Sequence, residues 1–214
     1  ERIFYNSTNN NIKILNKDIK TESNIFIGHK RLSIIDLSDR STQPIYDEGQ
    51  NTIFCYNGEI YNFKSFGISQ YEYSDTLTLE YLIKFEKHEL FKKINGAWAF
   101  AFFKKNTNKI LLSRDRYGKK PLYYYIKNDT AIISSEIKPI FTILNSKSLD
   151  VDNFGLGHYL LTKQTPFLNN GKTFYKDIKS ILPGKIFELN LSDLNLKEIF
   201  SDSFNYINKF TDLN

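Results

Sequence analysis

The apolar positions of this chain fall mostly into short runs separated by turn residues, a pattern that predicts many β-strands and few helices. A polar stretch rich in Asn and Lys over residues 1–24 predicts a hairpin or loop insertion before the first core strand. The tail after Ser192 is weakly patterned, and we expect it to be frayed. The runs predicted to be strands cover residues 25–27, 31–36, 53–56, 97–103, 110–114, 122–126, 131–134 and 185–191.

Three segments have a helical pattern instead. After Ser74, apolar residues recur at i, i+3 and i+4 as far as Phe85, which predicts the best amphipathic helix of the chain. Residues 136–144 and 152–161 are the other two segments. Strands in a run with flanking helices predict an α+β fold, in which two layers of antiparallel sheet are covered by helices. A composition shift near residue 146 predicts a boundary between a domain over 1–146 and a segment over 147–214.

The net charge of +5 and the pI of about 9.0 raise the question of nucleic-acid binding. The lysines are scattered and stand mostly beside acids or asparagines, so a solvated surface is favoured and no nucleic-acid partner is expected. No apolar run approaches the roughly 18 residues of a membrane-spanning helix, and no membrane partner is expected. Cys55 is the single cysteine, which excludes an intrachain disulfide and fits a cytoplasmic location.

The candidate chemistry lies at the end of the predicted strand over residues 53–56, where Asn57 and Gly58 follow directly. Both residue types tolerate positive φ, so the dipeptide predicts a tight turn. Such a turn places an amide side chain beside a free backbone N–H, and that pair can hold a developing oxyanion. A plain hairpin turn is the alternative, and it is the commoner meaning of an isolated Asn-Gly pair.

Six further motifs stand at consistent spacings around this dipeptide. They are GHKRLSIIDLS over 28–38, QP over 43–44, SDT over 74–76, NGAWAFA over 95–101, RDRYGKKPLYY over 114–124 and SSEIK over 134–138. Together with CYNGEIYN over 55–62, they resemble the class II glutamine amidotransferase domain of glutamine-hydrolysing asparagine synthetases. The resemblance runs from about residue 28 to 144 and continues more weakly to about 189.

The resemblance implies a fold, a reaction and roles for four residues. The fold would be the four-layer αββα sandwich of the N-terminal-nucleophile (Ntn) hydrolases, and the reaction would release ammonia from glutamine. Asn57 would contribute its side-chain amide, and Gly58 its backbone N–H, to an oxyanion hole. Glu59 and Asp75 would bind the amino group of glutamine. For Asp75 the alternative is an N-cap of the predicted helix.

The resemblance also implies parts that these 214 residues lack. The family nucleophile is a leading cysteine whose own α-amine acts as the base, and an arginine in a His-Arg-Gly-Pro-Asp motif binds the α-carboxylate of glutamine. We therefore expect a chain truncated at both ends and inactive alone, in which Cys55 is a buried apolar residue and no substitute nucleophile.

The segment over residues 147–214 resembles the connector and the beginning of a synthetase domain. In the family that domain, present in cis, uses ATP and Mg²⁺ to amidate aspartate, so no cofactor is expected in this chain. The alternatives are a non-catalytic binding or scaffold module with the same fold and, less favoured, a basic nucleic-acid binder.

Overall fold

A computed structural model describes residues 2–6, 11–15, 25–30, 41–144, 149–163 and 171–202. In these ranges the chain forms twelve strands and three α-helices. The strands are β1 (Arg2–Asn6), β2 (Asn11–Leu15), β3 (Ile25–Gly28), β4 (Ile45–Asp47), β5 (Thr52–Ile60), β6 (Gly96–Lys104), β7 (Lys109–Arg114), β8 (Tyr123–Lys127), β9 (Thr130–Ser134), β10 (Ile178–Ser180), β11 (Lys185–Asn190) and β12 (Asn195–Ser201). The helices are α1 (Asp75–Lys84), α2 (Ile137–Leu144) and α3 (Asn153–Thr162).

The strands form three antiparallel sheets. The central sheet has six strands in the order β12-β11-β7-β6-β5-β4. Two smaller sheets have the orders β2-β1-β3 and β10-β8-β9. The longest ladder joins β5 to β6, from the pair Thr52–Lys104 to the pair Ile60–Gly96. The hairpin predicted over residues 1–24 is present as β1 and β2, which pair with each other.

Three apolar clusters show how these elements are layered. On one face of the central sheet, Phe54 and Phe102 pack with Leu79 and Leu82 of α1. On the opposite face, Leu112 packs against the sheet that contains β8, with contributions from both β8 and β9. The far side of that sheet packs on α2 through a third cluster around Ile140. The order is therefore helix, sheet, sheet, helix, which is the predicted αββα sandwich.

Helix α1 begins where the sequence predicted, but a different side chain caps it. Ser74 is the N-cap residue, and its hydroxyl accepts a hydrogen bond from Leu77 N–H over 3.3 Å. Asp75 is the first helical residue, so the N-cap alternative for Asp75 is wrong. Because the hydroxyl of Ser74 already caps the helix, the carboxylate of Asp75 is directed to other partners.

Two further predictions about the strands are wrong. Asn57 and Gly58 do not form a tight turn, because β5 continues through both residues to Ile60 and pairs with β6 over its whole length. The chain after Ser192 is not frayed as far as it is described, since β12 pairs with β11. The strand predicted over residues 31–36 lies outside the described residues.

Residues beyond the predicted boundary near 146 contribute to the same sheets. Strand β10 pairs with β8, and β11 pairs with β7. In the sequence, helix α3 lies between α2 and β10. Several of its apolar residues are largely exposed, among them Phe154 and Leu161. None of the helices within the described ranges is long and apolar enough to cross a membrane.

Candidate functional site

The candidate site lies on the last third of β5, where only one edge of the strand is paired among the described residues. Strand β4 pairs with β5 only from Thr52 to Phe54. The partner on the other edge, β6, continues along the whole of β5. In the part of the chain that the structure describes, β5 therefore has a strand neighbour on one side alone at Asn57, Gly58 and Glu59.

The direction of the Gly58 N–H follows from its partner across the ladder. Gly58 stands opposite Trp98. Trp98 uses its backbone groups on the far side, because its oxygen accepts from Asp115 N–H over 2.8 Å and its N–H donates to Asp115 Oδ2 over 3.2 Å. In an antiparallel ladder, this makes Gly58 and Trp98 a non-hydrogen-bonded pair. The N–H of Gly58 is consequently directed to the open edge of β5.

Side-chain oxygens accept hydrogen bonds from the backbone N–H groups two residues before and two residues after Gly58. The side-chain oxygen of Gln43 accepts from Tyr56 N–H, and Oδ2 of Asp75 accepts from Ile60 N–H over 3.0 Å. Between them, Gly58 N–H has no hydrogen-bond partner in the part of the chain that the structure describes. A backbone donor without a partner, held between two fixed neighbours, is what an oxyanion hole requires.

Close backbone contact requires glycine at position 58. Its φ of +154° lies in a region that other residues rarely adopt, and a Cβ there would lie 2.1 Å from the oxygen of Ala97. Gly96, on the facing strand, has the same restriction against the oxygen of Glu59, at 2.3 Å. The glycine that the sequence suggested for a turn is therefore required by the approach of β5 to β6.

The side chains of Asn57 and Glu59 are not fully buried. Asn57 is exposed and Glu59 is half-buried, and strand alternation puts both on one face of the sheet. Within the described residues, neither side chain has a hydrogen bond or an ion pair. The site thus presents an amide donor, a backbone donor and a carboxylate at three consecutive positions.

Asp75 reaches the same end of β5 but is already engaged. It is 4% exposed, and its Oδ2 accepts from the hydroxyl of Tyr56 over 2.9 Å as well as from Ile60 N–H. Its Oδ1 accepts from Thr76 N–H over 2.8 Å. Asp75 thus joins the first turn of α1 to β5 next to Glu59, so the structure brings all four predicted residues to one end of one strand.

Sequence reasoning missed the residues that hold this edge in place. Gln43 and Tyr56 are both buried, and they are joined by the hydrogen bond from Tyr56 N–H to the side chain of Gln43. A second hydrogen bond joins the hydroxyls of Ser41 and Ser74 over 2.7 Å. Gln43 stands in a short loop segment without periodicity, so its pattern carried no information about its partner. The one hint in the sequence was that Gln43 stands directly before Pro44 in one of the motifs.

Cys55 lies inside β5, and its environment disfavours the thiolate. Burial raises the pKa of the Cys55 thiol to about 12. A thiol with such a pKa is almost fully protonated at neutral pH, and the protonated form is a poor nucleophile. Cys55 is half-buried and not fully buried as expected, and that it is no substitute for a catalytic cysteine stays a prediction.

The charged segment at the end of β7 holds the backbone around it in place. Asp115 is fully buried, and its carboxylate accepts from the N–H groups of Tyr117, Lys119 and Lys120 over 3.0 Å each. The guanidinium of Arg114 donates to three backbone oxygens. A nearby cavity of about 320 Å³ is lined by Arg114, Tyr123 and other residues, and by none of the four candidate residues.

Comparison with known proteins gives the family. A family model described as a glutamine amidotransferase domain matches residues 16–200. A Bacillus subtilis protein named asparagine synthetase [glutamine-hydrolyzing] 1 is 29% identical over 191 residues, which are 86% of this chain and 29% of the relative. A Methanocaldococcus jannaschii protein, provisionally named asparagine synthetase [glutamine-hydrolyzing] 2, is 36% identical over 137 residues, which are 56% of this chain and 27% of the relative.

The solved structures agree on the fold. A glutamine phosphoribosylpyrophosphate amidotransferase from B. subtilis, in complex with ADP and GMP, matches with a TM-score of 0.56 at 19% identity. The match covers 84% of this chain and 35% of that one. The chain belongs to the glutamine amidotransferase family, and its fold is the Ntn-hydrolase type. It spans less than a third of the length of the two curated relatives.

Proposed function

We propose that this domain hydrolyses the side-chain amide of glutamine to glutamate and ammonia. The observation that carries the proposal is the uncovered edge of β5, where Gly58 N–H has no partner in the described ranges and the exposed amide of Asn57 is its neighbour. These two donors would stabilise the negative oxygen that forms when a nucleophile attacks the amide carbon.

Two carboxylates support glutamine as the substrate. An α-ammonium group is best held by opposite charge, and Glu59 and Asp75 lie at the same end of β5. Glu59 is without an ion pair among the described residues and would contact the ammonium directly. The family membership of the chain and the names of its relatives agree with this substrate.

The nucleophile would be a cysteine thiolate at the head of the domain, as in the class II family. Its thiolate attacks the amide carbon, the C–N bond breaks, ammonia leaves with a proton from the α-ammonium of the cysteine, and water then hydrolyses the thioester to glutamate. These 214 residues contain Cys55 alone, and its thiol pKa is about 12. We infer that the 214-residue polypeptide by itself has no glutaminase activity above background.

In the complete protein, the ammonia would serve an ATP-dependent amidation. The names of the relatives favour aspartate as the acceptor and a synthetase domain in the same chain as the partner. ATP and Mg²⁺ would be bound by that domain, in a cytoplasmic enzyme. A scaffold module that has lost catalysis is the competing function, because Cys55 cannot supply the chemistry.

The test joins an N-terminal segment with a leading cysteine and the arginine motif to this chain and measures ammonia release from glutamine. We expect hydrolysis, and we expect Asn57→Ala to lower kcat by about 100-fold or more. Asn153→Ala, an exposed substitution at the start of α3, is the control and should leave kcat unchanged. An extended chain that binds glutamine without releasing ammonia would support the scaffold instead.

A further inference from the structure

The hydroxyl of Tyr56 lies against the carboxylate of Asp75 inside the protein. Tyr56 is 3% exposed and Asp75 is 4% exposed, and the hydroxyl donates to Oδ2 over 2.9 Å. The two residues are 19 positions apart in the sequence, on β5 and on the first turn of α1. A hydrogen bond between a hydroxyl and a buried carboxylate is among the stronger ones in proteins.

The donors around Asp75 leave one of its two oxygens less occupied. Oδ2 accepts from both Tyr56 and Ile60 N–H. Oδ1 accepts from Thr76 N–H over 2.8 Å and from the hydroxyl of Thr76 over 3.4 Å. The hydroxyl contact is longer than a usual O–H···O hydrogen bond, so a charged donor can replace it at Oδ1. Tyr56 and Ile60 together therefore fix which oxygen remains available.

The tyrosine acts as a donor over the whole physiological range. Burial, and then the negative charge of Asp75, raise the pKa of Tyr56 well above its usual value. The phenol consequently stays protonated, and its proton is directed to Oδ2. Ionisation of Tyr56 plays no part in this arrangement.

We propose that Tyr56 is a positioning residue for glutamine binding: its hydroxyl holds the carboxylate of Asp75 in the orientation that receives the α-ammonium group. Tyr56 itself contacts neither the substrate nor the reacting atoms. This inference rests on the proposed glutaminase function, and it separates two tasks at the end of β5. Asn57 and Gly58 act on the transition state, whereas Tyr56 acts on ground-state binding through Asp75.

The test uses the chain extended with the cysteine segment and compares two substrates. One is L-glutamine, and the other is 4-carbamoylbutanoate, which is glutamine without its α-amino group. We expect Tyr56→Phe to raise KM for L-glutamine about tenfold, with kcat unchanged. KM for the deaminated substrate should not change, because that substrate has no ammonium for Asp75 to bind. Tyr124→Phe, a half-buried tyrosine on β8, is the matched control and should alter neither value.

A second comparison guards against a purely structural effect. In an Asp75→Asn background, Tyr56→Phe should raise KM for glutamine no further, since the charge that it orients is gone. Equal increases in KM for both substrates, or an unchanged KM for glutamine in an active enzyme, would overturn the positioning role and leave the glutaminase proposal intact. An extended parent that releases no ammonia from glutamine would overturn both.

Discussion

Asp115 holds Trp98 through both backbone groups of that tryptophan, with its own N–H on the oxygen over 2.8 Å and its Oδ2 on the N–H over 3.2 Å. This pairing is 17 residues apart in the sequence and takes Trp98 out of hydrogen bonding with β5. The direction of the Gly58 N–H, away from β6, follows from this arrangement. A buried aspartate remote from the candidate donors thus determines which way one of them points.

Loss of the Asp115 carboxylate should destabilise the fold strongly. Asp115→Ala leaves four N–H groups without their acceptor, those of Trp98, Tyr117, Lys119 and Lys120. The buried N–H of Trp98 costs about 1–3 kcal/mol when unsatisfied and the three part-buried N–H groups cost less each, so we expect a total loss of roughly 3 kcal/mol in the free energy of unfolding. Urea denaturation measures it. The control is Asp177→Ala, which removes one exposed ion pair to Lys127 and should cost under about 1 kcal/mol. Similar losses of unfolding free energy for the two variants would contradict the role of Asp115.

Two glycine-to-alanine substitutions should have opposite effects. Gly58→Ala places a Cβ 2.1 Å from the Ala97 oxygen and 2.7 Å from the Trp98 Cα, so we expect a cost of roughly 2–3 kcal/mol. Gly157→Ala, inside α3, meets no atom within 4 Å and should stabilise the protein by about 0.5–1 kcal/mol. Both values come from the same denaturation experiment. A Gly58→Ala variant as stable as the parent would show that β5 and β6 are farther apart than described.

Cys55 should resist alkylation while the protein is folded. With a thiol pKa of about 12, the thiolate fraction at pH 8 is about 10⁻⁴, against about a quarter for an unperturbed thiol. Reaction with iodoacetamide should therefore be slow at pH 8, accelerate as the pH rises toward 12, and become fast in concentrated urea. Rapid modification of the folded chain at pH 8 would mean that the thiol is more accessible to solvent.

The same pKa has a consequence for stability. Because the folded-state pKa of Cys55 lies above the unfolded value of about 8.5, the protonated thiol favours the folded state. This contribution is fully present below about pH 8.5 and is lost as the pH rises toward 12. Cys55→Ala should remove that part of the alkaline pH dependence, measured as the free energy of unfolding from pH 8 to 11.

The basic pI should not bring nucleic-acid binding. The net charge is +5 over 214 residues, and several of the lysines are paired with acids, for example Lys104 with Glu86 and Lys185 with Glu198. Any association would be weak and would fall steeply with salt. Titration of labelled duplex and single-stranded oligonucleotides at low and at physiological ionic strength tests this. Submicromolar binding at physiological salt would contradict it.

Much of the fold could be predicted because its main elements have strong local patterns. The apolar runs of β6 and β7 and the periodicity of α1 follow from burial of one or both faces. The turn at Asn128 and Asp129, both with positive φ, consists of residue types that tolerate this conformation. The layering of these elements came from the family resemblance, since periodicity does not say which sheet covers which.

The errors arise where distant contacts decide the local structure. Asn57 and Gly58 have the sequence of a turn, but pairing with β6 keeps them in an extended strand. Strand β12 is weakly patterned, and its place next to β11 at the edge of the sheet provides the pairing that its sequence lacks. The roles of Gln43 and Tyr56 depend on partners 13 and 19 residues away, which a motif does not encode.

The donor at position 58 belongs to the main chain, so conventional mutagenesis cannot delete it. Every genetically encoded residue except proline retains an N–H, and alanine at this position changes the spacing of β5 and β6 before it touches the donor. Chemical synthesis separates the two effects. Glycolic acid in place of Gly58 replaces the backbone N–H with an ester oxygen and, like glycine, has no side chain. A library of codon substitutions would therefore report this position as structural, whatever it contributes to chemistry.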